Sequence, residues 1–153
     1  MHARSLLRLL PLLVLVLAGG CAPRAAEPEP DAARSASDPP DLLASVQATT
    51  YGDSVQFVLQ VTNTTAQPVV LEFRSGQRFD FVVERDGAEV WRWSDGQMFT
   101  QALSSEPLPA GGTLSYSTPW APGPAAGGEF TVRGALTAEP PNRAAQRARF
   151  RIR

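Results

Sequence analysis

Histidine, cysteine and lysine are almost missing from this sequence of 153 residues. One histidine (His2) and one cysteine (Cys21) occur, and lysine does not, so all 14 basic side chains are arginines. Beyond residue 21 there is no thiol, no imidazole and no primary side-chain amine. Zinc sites of the usual His/Cys type, disulfides within the chain, Ser-His and Cys-His nucleophile pairs and Schiff-base chemistry are excluded there. A folded domain in this chain has to be stabilised by its core alone. A charge excess is missing too: 14 basic against 15 acidic residues give a net charge of -1. Phosphate binding needs a clear cationic surplus, so no nucleic-acid partner is expected. No motif implies a metal or an organic cofactor.

Long apolar runs are also lacking. The longest spans about residues 9–18, short of the roughly 20 residues a transmembrane helix needs. Arg4 and Arg8 lie at its start and Ala18-Gly19-Gly20-Cys21 follows it. A basic head, a short apolar run and a small-residue exit form the signal-peptide pattern. The exit resembles a lipobox, in which the cysteine thiol receives a diacylglyceryl group before cleavage. Residues 1–20 are therefore expected to be a lipoprotein signal peptide and Cys21 the lipidated residue. The alternative is an ordinary cleaved signal ending near Ala25. Ala22 rather than aspartate after the cysteine resembles outer-membrane sorting. The expected location is the cell envelope, anchored by lipid on the extracytoplasmic side of a membrane.

Residues 22–40, APRAAEPEPDAARSASDPP, hold proline, alanine, serine and charges, with no aromatic and no β-branched residue. Such a segment buries too little apolar surface to offset its ordering entropy, which predicts a disordered spacer over 21–40.

Alternation of apolar and polar residues dominates residues 41–153, the signature of strands. Residues 54–62 place Val55, Phe57, Leu59 and Val61 on one face. Further strands are expected at 69–73, 79–84, 88–93, 113–118, 129–138 and 147–153, with Gly134 marking a bulge. Gly76, Gly87, Gly96 and Gly111 fall at turns. No convincing amphipathic helix is present. Seven or eight short strands predict an all-β, immunoglobulin-like antiparallel β-sandwich, with a small barrel as the alternative. In the hairpin around Asp86-Gly87, a three-residue loop (85–87) pairs Phe81 with Trp91, Phe79 with Trp93 and Asp80 with Arg92. That register collects four aromatics on one face and opposite charges on the other, so it is preferred to a two-residue loop.

The run SGQRFDFVVERDGAEVWRWSDGQMFTQAL (75–103), followed by LPAGGTLSYSTPW (108–120), resembles the BsuPI domain, a family named for an intracellular proteinase inhibitor of bacilli. The shared elements are the turn at Gly76, the strand Phe79-Asp80-Phe81, Gly87, the run around Trp91, Arg92 and Trp93, the segment around Phe99, the turn at Gly111, and Trp120. The resemblance implies an immunoglobulin-like sandwich and a monomeric binding domain without a cofactor.

Several residues invite a functional reading. Trp91 and Trp93 are either core aromatics or, on an outer face, a stacking platform for a sugar or a protein. Asp80, Glu84, Glu89 and Asp95 are carboxylates, but glycoside chemistry needs a buried acid in a cleft, and Asp80 has Arg92 as a partner. The chain is therefore expected not to be an enzyme. Residues 105–112 form the most inhibitor-like loop: Pro107 and Pro109 would hold Leu108 extended and stiff, which favours binding to a protease cleft. A connecting turn is the plainer reading. The turn around Asp95 and Gly96 is a second exposed candidate, and 121–128 is a third. Arg147, Arg149, Arg151 and Arg153 form a stripe that either meets phosphate-bearing lipids or an acidic partner, or is a solvated strand face. Asn63-Thr64-Thr65 is most simply a turn.

The leading expectation is a membrane-tethered protein-binding module that restrains an envelope protease. The alternative is a structural or adhesive envelope lipoprotein that binds polysaccharide or another envelope protein. The anchor is testable directly. Radiolabelled fatty acid should enter the wild-type protein and be absent from Cys21→Ser; equal labelling of both would remove the lipid anchor from the account.

Overall fold

The computed structural model describes residues 40–123 and 127–152. They form nine strands and no helix: β1 (Leu42–Tyr51), β2 (Ser54–Asn63), β3 (Val69–Phe73), β4 (Phe79–Arg85), β5 (Ala88–Arg92), β6 (Ser104–Leu108), β7 (Thr113–Trp120), β8 (Gly128–Leu136) and β9 (Ala145–Ile152). Every pairing is antiparallel. The sheet orders are β1-β2-β7, β3-β6 and β5-β4-β8-β9. The expected all-β antiparallel sandwich is what the chain forms, with nine strands rather than seven or eight.

Two strands have weak sequence signatures. In β1 the inward positions are Leu42, Ala44, Val46 and Ala48, and the small alanines blunt the apolar alternation. In β6 Pro107 reads as a turn residue. Proline is tolerated there because β6 has a hydrogen-bonded neighbour, β3, on one side only.

The β4–β5 hairpin departs from the expected register. Its turn has two residues, Asp86 (φ 52°) and Gly87 (φ 82°), the pair of positive φ angles that a type I′ turn requires. Arg85 faces Ala88 and Glu84 faces Glu89, then the register shifts so that Val83 faces Trp91 and Val82 faces Arg92. Val90 is the extra residue of this bulge. The expected pairs Phe81–Trp91, Phe79–Trp93 and Asp80–Arg92 are therefore each displaced by two positions; instead the Trp93 amide donates to the Phe81 carbonyl at 2.9 Å. A two-residue turn alone would have turned the tryptophans to the wrong face. The bulge restores their parity inside the strand, where the three-residue loop would have done so at the turn.

The inner faces meet around Phe57, which is wholly buried. Its ring centroid lies 5.8 Å from Phe81, 6.2 Å from Trp91, 6.0 Å from Trp120 and 5.4 Å from Phe150. Leu59, Val61, Leu71, Phe73, Val83 and Val132 extend the same core.

Gly134 is not a bulge, because the β4–β8 and β8–β9 ladders run through it without a shift. Its role is close approach. A Cβ at this position would lie 2.7 Å from Val46 Cγ2 and 3.0 Å from Phe81 Cε1. The missing side chain lets β1 settle onto β8. Gly134→Ala should therefore destabilise by about 1–3 kcal/mol, the range for overpacking, as read by urea denaturation. A neutral or stabilising effect would show that β1 and β8 have room to spare.

Candidate functional site

Three side-chain clusters fasten turns and strand ends of the sandwich. The first is Asn63, whose side chain is buried. Its Nδ2 donates to the carbonyls of Gln67 (2.8 Å), Leu108 (3.0 Å) and Pro109 (3.0 Å). Its Oδ1 accepts from the Thr65 amide (2.9 Å) and hydroxyl (2.8 Å). The residue ties the end of β2 to the turn between β6 and β7. The sequence carried the signal, since position 63 continues the inward series 55, 57, 59, 61; a polar residue there needs internal partners.

The second cluster surrounds Asp80, which is nearly buried. Its Oδ2 accepts from Arg92 Nη1 and from the Ser94 hydroxyl, both at 2.9 Å, and Oδ1 accepts from the Ser94 amide at 3.2 Å. Arg92 also grips Glu89 with two bonds, of 3.0 and 2.6 Å. Those bonds to Glu89, then to Asp80, push the guanidinium pKa further above its already high range. The Asp80–Arg92 partnership read from the sequence is thus present, made diagonally across the strands. Glu84 is bridged by Arg147 at 3.5 Å. These carboxylates are engaged by arginines and hold structure.

The third cluster is Arg78. Its Nε and Nη2 both donate to Glu106 Oε1 (2.9 and 2.6 Å), Nη1 donates to the Ser75 carbonyl (2.8 Å), and Nη2 donates to the Ser104 hydroxyl (3.0 Å). Its guanidinium lies 4.3 Å from the centroid of the Phe73 ring. Arg78 fastens the turn before β4 to strand β6. Nearby, Tyr116 stacks on Phe79 at 4.7 Å, and burial, with Glu106 second, pushes its phenol pKa up.

Joining Ser94 of the second cluster to Ser104 of the third is an exposed segment, residues 97–103, which has no strand pairing. It follows the turn at Asp95 and Gly96, where the Gln97 amide donates to the Ser94 carbonyl at 3.1 Å. Phe99 packs on Trp93 at 5.7 Å, and Trp93 stacks on Phe79 at 4.1 Å. The Gly76 amide donates to the Thr100 carbonyl at 2.8 Å. A Cβ on Gly76 would lie 2.7 Å from Thr100 Oγ1, so the contact requires glycine or a displaced threonine. Met98 sits among these fixed points with 97% of its surface exposed, and Leu103 is 81% exposed.

The structure relocates several sequence candidates. Leu108 is the last residue of β6 and only 4% exposed, so it is a core residue and not presented to a cleft. The expected loop over 105–112 shrinks to a turn closed by Gly112 donating to the Pro109 carbonyl at 2.9 Å. Pro107 and Pro109 remain exposed on either side of it. Trp91 and Trp93 are half-buried against the core, which removes the outward sugar platform. Trp120 is buried and packs on Phe57 and Phe130. Arg147, Arg149 and Arg151 line the exposed face of β9 while Ala148, Phe150 and Ile152 turn inward. Arg153, Cys21 and the residues before position 40 lie outside the described residues. The region that sequence reasoning passed over is 97–103. Met98 and Leu103 are apolar, and nothing in their spacing distinguishes exposed residues from buried ones.

Removing the Asp80 carboxylate would leave Arg92 with Glu89 alone and would free the Ser94 amide. Asp80→Ala should cost about 1.5–3 kcal/mol, the range for charge-assisted hydrogen bonds, in equilibrium unfolding. A change within about 0.5 kcal/mol, as for ordinary surface substitutions, would show that the cluster does not hold the turn.

The family model BsuPI, described as intracellular proteinase inhibitor, matches residues 42–141. Among solved structures, the chain is similar to the sporulation control protein Spo0M of Bacillus subtilis, at 13% identity and a TM-score of 0.44, covering 72% of this chain and 49% of that one. It is also similar to a protein from Archaeoglobus fulgidus, at 12% identity and a TM-score of 0.38, covering 72% of this chain and 95% of that one. The chain spans about half the length of the sporulation control protein. No curated protein matches it. The family match takes in eight of the nine strands, β1 to β8, together with all three side-chain clusters, and the chain therefore belongs to the BsuPI family of intracellular proteinase inhibitor domains.

Proposed function

We propose that this protein is an envelope-tethered binding module that restrains a protease by occupying it, without chemistry of its own. The observation that carries this reading is the match of residues 42–141 to a proteinase inhibitor family. The exposed, braced segment 97–103 supports it, because a stretch of backbone already fixed in place binds with little further loss of conformational freedom.

The tether rests on the sequence before residue 41. Arg4, Arg8, the apolar run and Ala18-Gly19-Gly20-Cys21 direct export and lipidation. Each buried methylene of an acyl chain adds about 0.8 kcal/mol of membrane affinity, so two or three chains hold firmly. The 19 residues from 22 to 40 can reach at most about 65 Å. That reach keeps the domain close to the membrane and raises its effective concentration toward enzymes in the same layer. The target is then an envelope or secreted protease, although the family takes its name from an intracellular inhibitor. The domain acts as a monomer against one enzyme.

Full-length protein, purified in detergent, should lower the casein-hydrolysing activity of envelope extracts in a saturable, dose-dependent way. Activity that stays constant up to a large molar excess would overturn the protease reading.

A further inference from the structure

We infer that Met98 is the side chain this module inserts into the specificity pocket of its target, and that the target is an endopeptidase whose pocket accepts an unbranched apolar residue. The inference rests on the protease-binding reading above and assigns its site. Other exposed apolar residues do not fit the role. Leu43, Tyr51, Val70 and Val90 lie on strands, and their exposure is between 50% and 64%. A peptide that enters a protease cleft must be exposed and outside the strand ladders. Residues 97–103 belong to no strand, and all of them but the half-buried Phe99 are exposed.

A lone exposed methionine means little, since single apolar residues are common on surfaces. Met98 differs because its backbone is fixed on both sides while its side chain is free. Before it, the turn closes with Gln97 donating to Ser94 at 3.1 Å. After it, Phe99 packs on Trp93 at 5.7 Å, and Thr100 accepts from Gly76 at 2.8 Å. Trp93 is itself stacked on Phe79 at 4.1 Å, so the brace is continuous with the core. The ordering cost of this segment is met during folding rather than on binding. With Phe99 and Thr100 held, the chain after Met98 cannot swing away from an attacking enzyme. The complex therefore resists turnover with the peptide bond between Met98 and Phe99 intact.

The neighbouring side chains fix the class of pocket. Gln97, Phe99, Thr100 and Gln101 are all uncharged. A pocket with a buried carboxylate, which selects a basic residue, gains nothing from methionine. An apolar slot buries the whole side chain, and a flexible thioether adapts to its shape. Leu103, five residues on and also exposed, provides a second apolar contact.

The test uses the full-length protein with chymotrypsin and subtilisin, which accept apolar residues, and with trypsin, whose pocket is acidic. Wild type should inhibit at least one of the first two and leave trypsin active. Met98→Asp should weaken that inhibition by at least about 30-fold, as loss of an interface anchor does. Met98→Leu should retain it, and Met98→Arg should move it toward trypsin. Thermal unfolding should be the same for all four proteins, because a side chain 97% exposed contributes no packing. Full inhibition by Met98→Asp would overturn the site and leave the protease reading standing. Rapid cleavage after Met98 with recovery of enzyme activity would overturn it as well, by making the segment a substrate. If none of these enzymes is inhibited while envelope casein hydrolysis still falls, the pocket class assigned here is wrong. If envelope hydrolysis is also unaffected, the protease reading fails with it.

Discussion

Neither sheet can exclude water from Phe57 alone. The ring rises from β2 and is closed over by Phe81, Trp91 and Phe150 from the opposite sheet, with Trp120 beside it. Truncating a buried ring of this kind costs about 3–5 kcal/mol, a large share of the roughly 5–15 kcal/mol that stabilises a typical domain. No disulfide is available to share that burden, because the only cysteine is Cys21. The pairing of the two sheets, and with it the position of everything they carry, depends on this aromatic contact.

The same aromatic packing runs outward. Phe81 meets Phe79 at 5.6 Å, Phe79 stacks on Trp93 at 4.1 Å, and Trp93 meets Phe99 at 5.7 Å. Polar clusters secure the flanks: Asp80 holds Ser94 and Arg92, and Arg78 holds β6 through Glu106 and Ser104. Together they carry the rigidity of the core to a segment exposed to solvent. Such a construction suits a protein that grips a partner. Asp80, Glu84, Glu89 and Glu106 are engaged by arginines, and the one fully solvated large apolar side chain among the described residues is Met98.

Much of the fold was legible because strand periodicity has a period of 2 and each face has its own environment. β2, β3, β4, β5, β7, β8 and β9 are all visible as alternation or short apolar runs. β1 escaped because alanine contributes little contrast, and β6 because Pro107 suggests a turn although an edge strand tolerates it. The hairpin register failed at one residue. The Asp-Gly pair favours a two-residue turn, and the bulge that reconciles this turn with inward tryptophans leaves no mark at Val90. Residue pattern placed Asp80 with Arg92 correctly because opposite charges on one face find each other even across a shifted register. It could not place Leu108 or Met98. One is buried at the end of a proline-containing strand, the other exposed on an irregular segment, and only tertiary packing separates them.

A grip of this kind requires the exposed segment to be held as rigidly as the strands behind it. Nitrogen-15 relaxation on the uniformly labelled protein measures this directly at the backbone amides of Met98, Phe99 and Thr100. Order parameters should lie near the value of about 0.85 typical of rigid backbone, matching the amides of β4. Values below about 0.6, characteristic of a flexible loop, would contradict it.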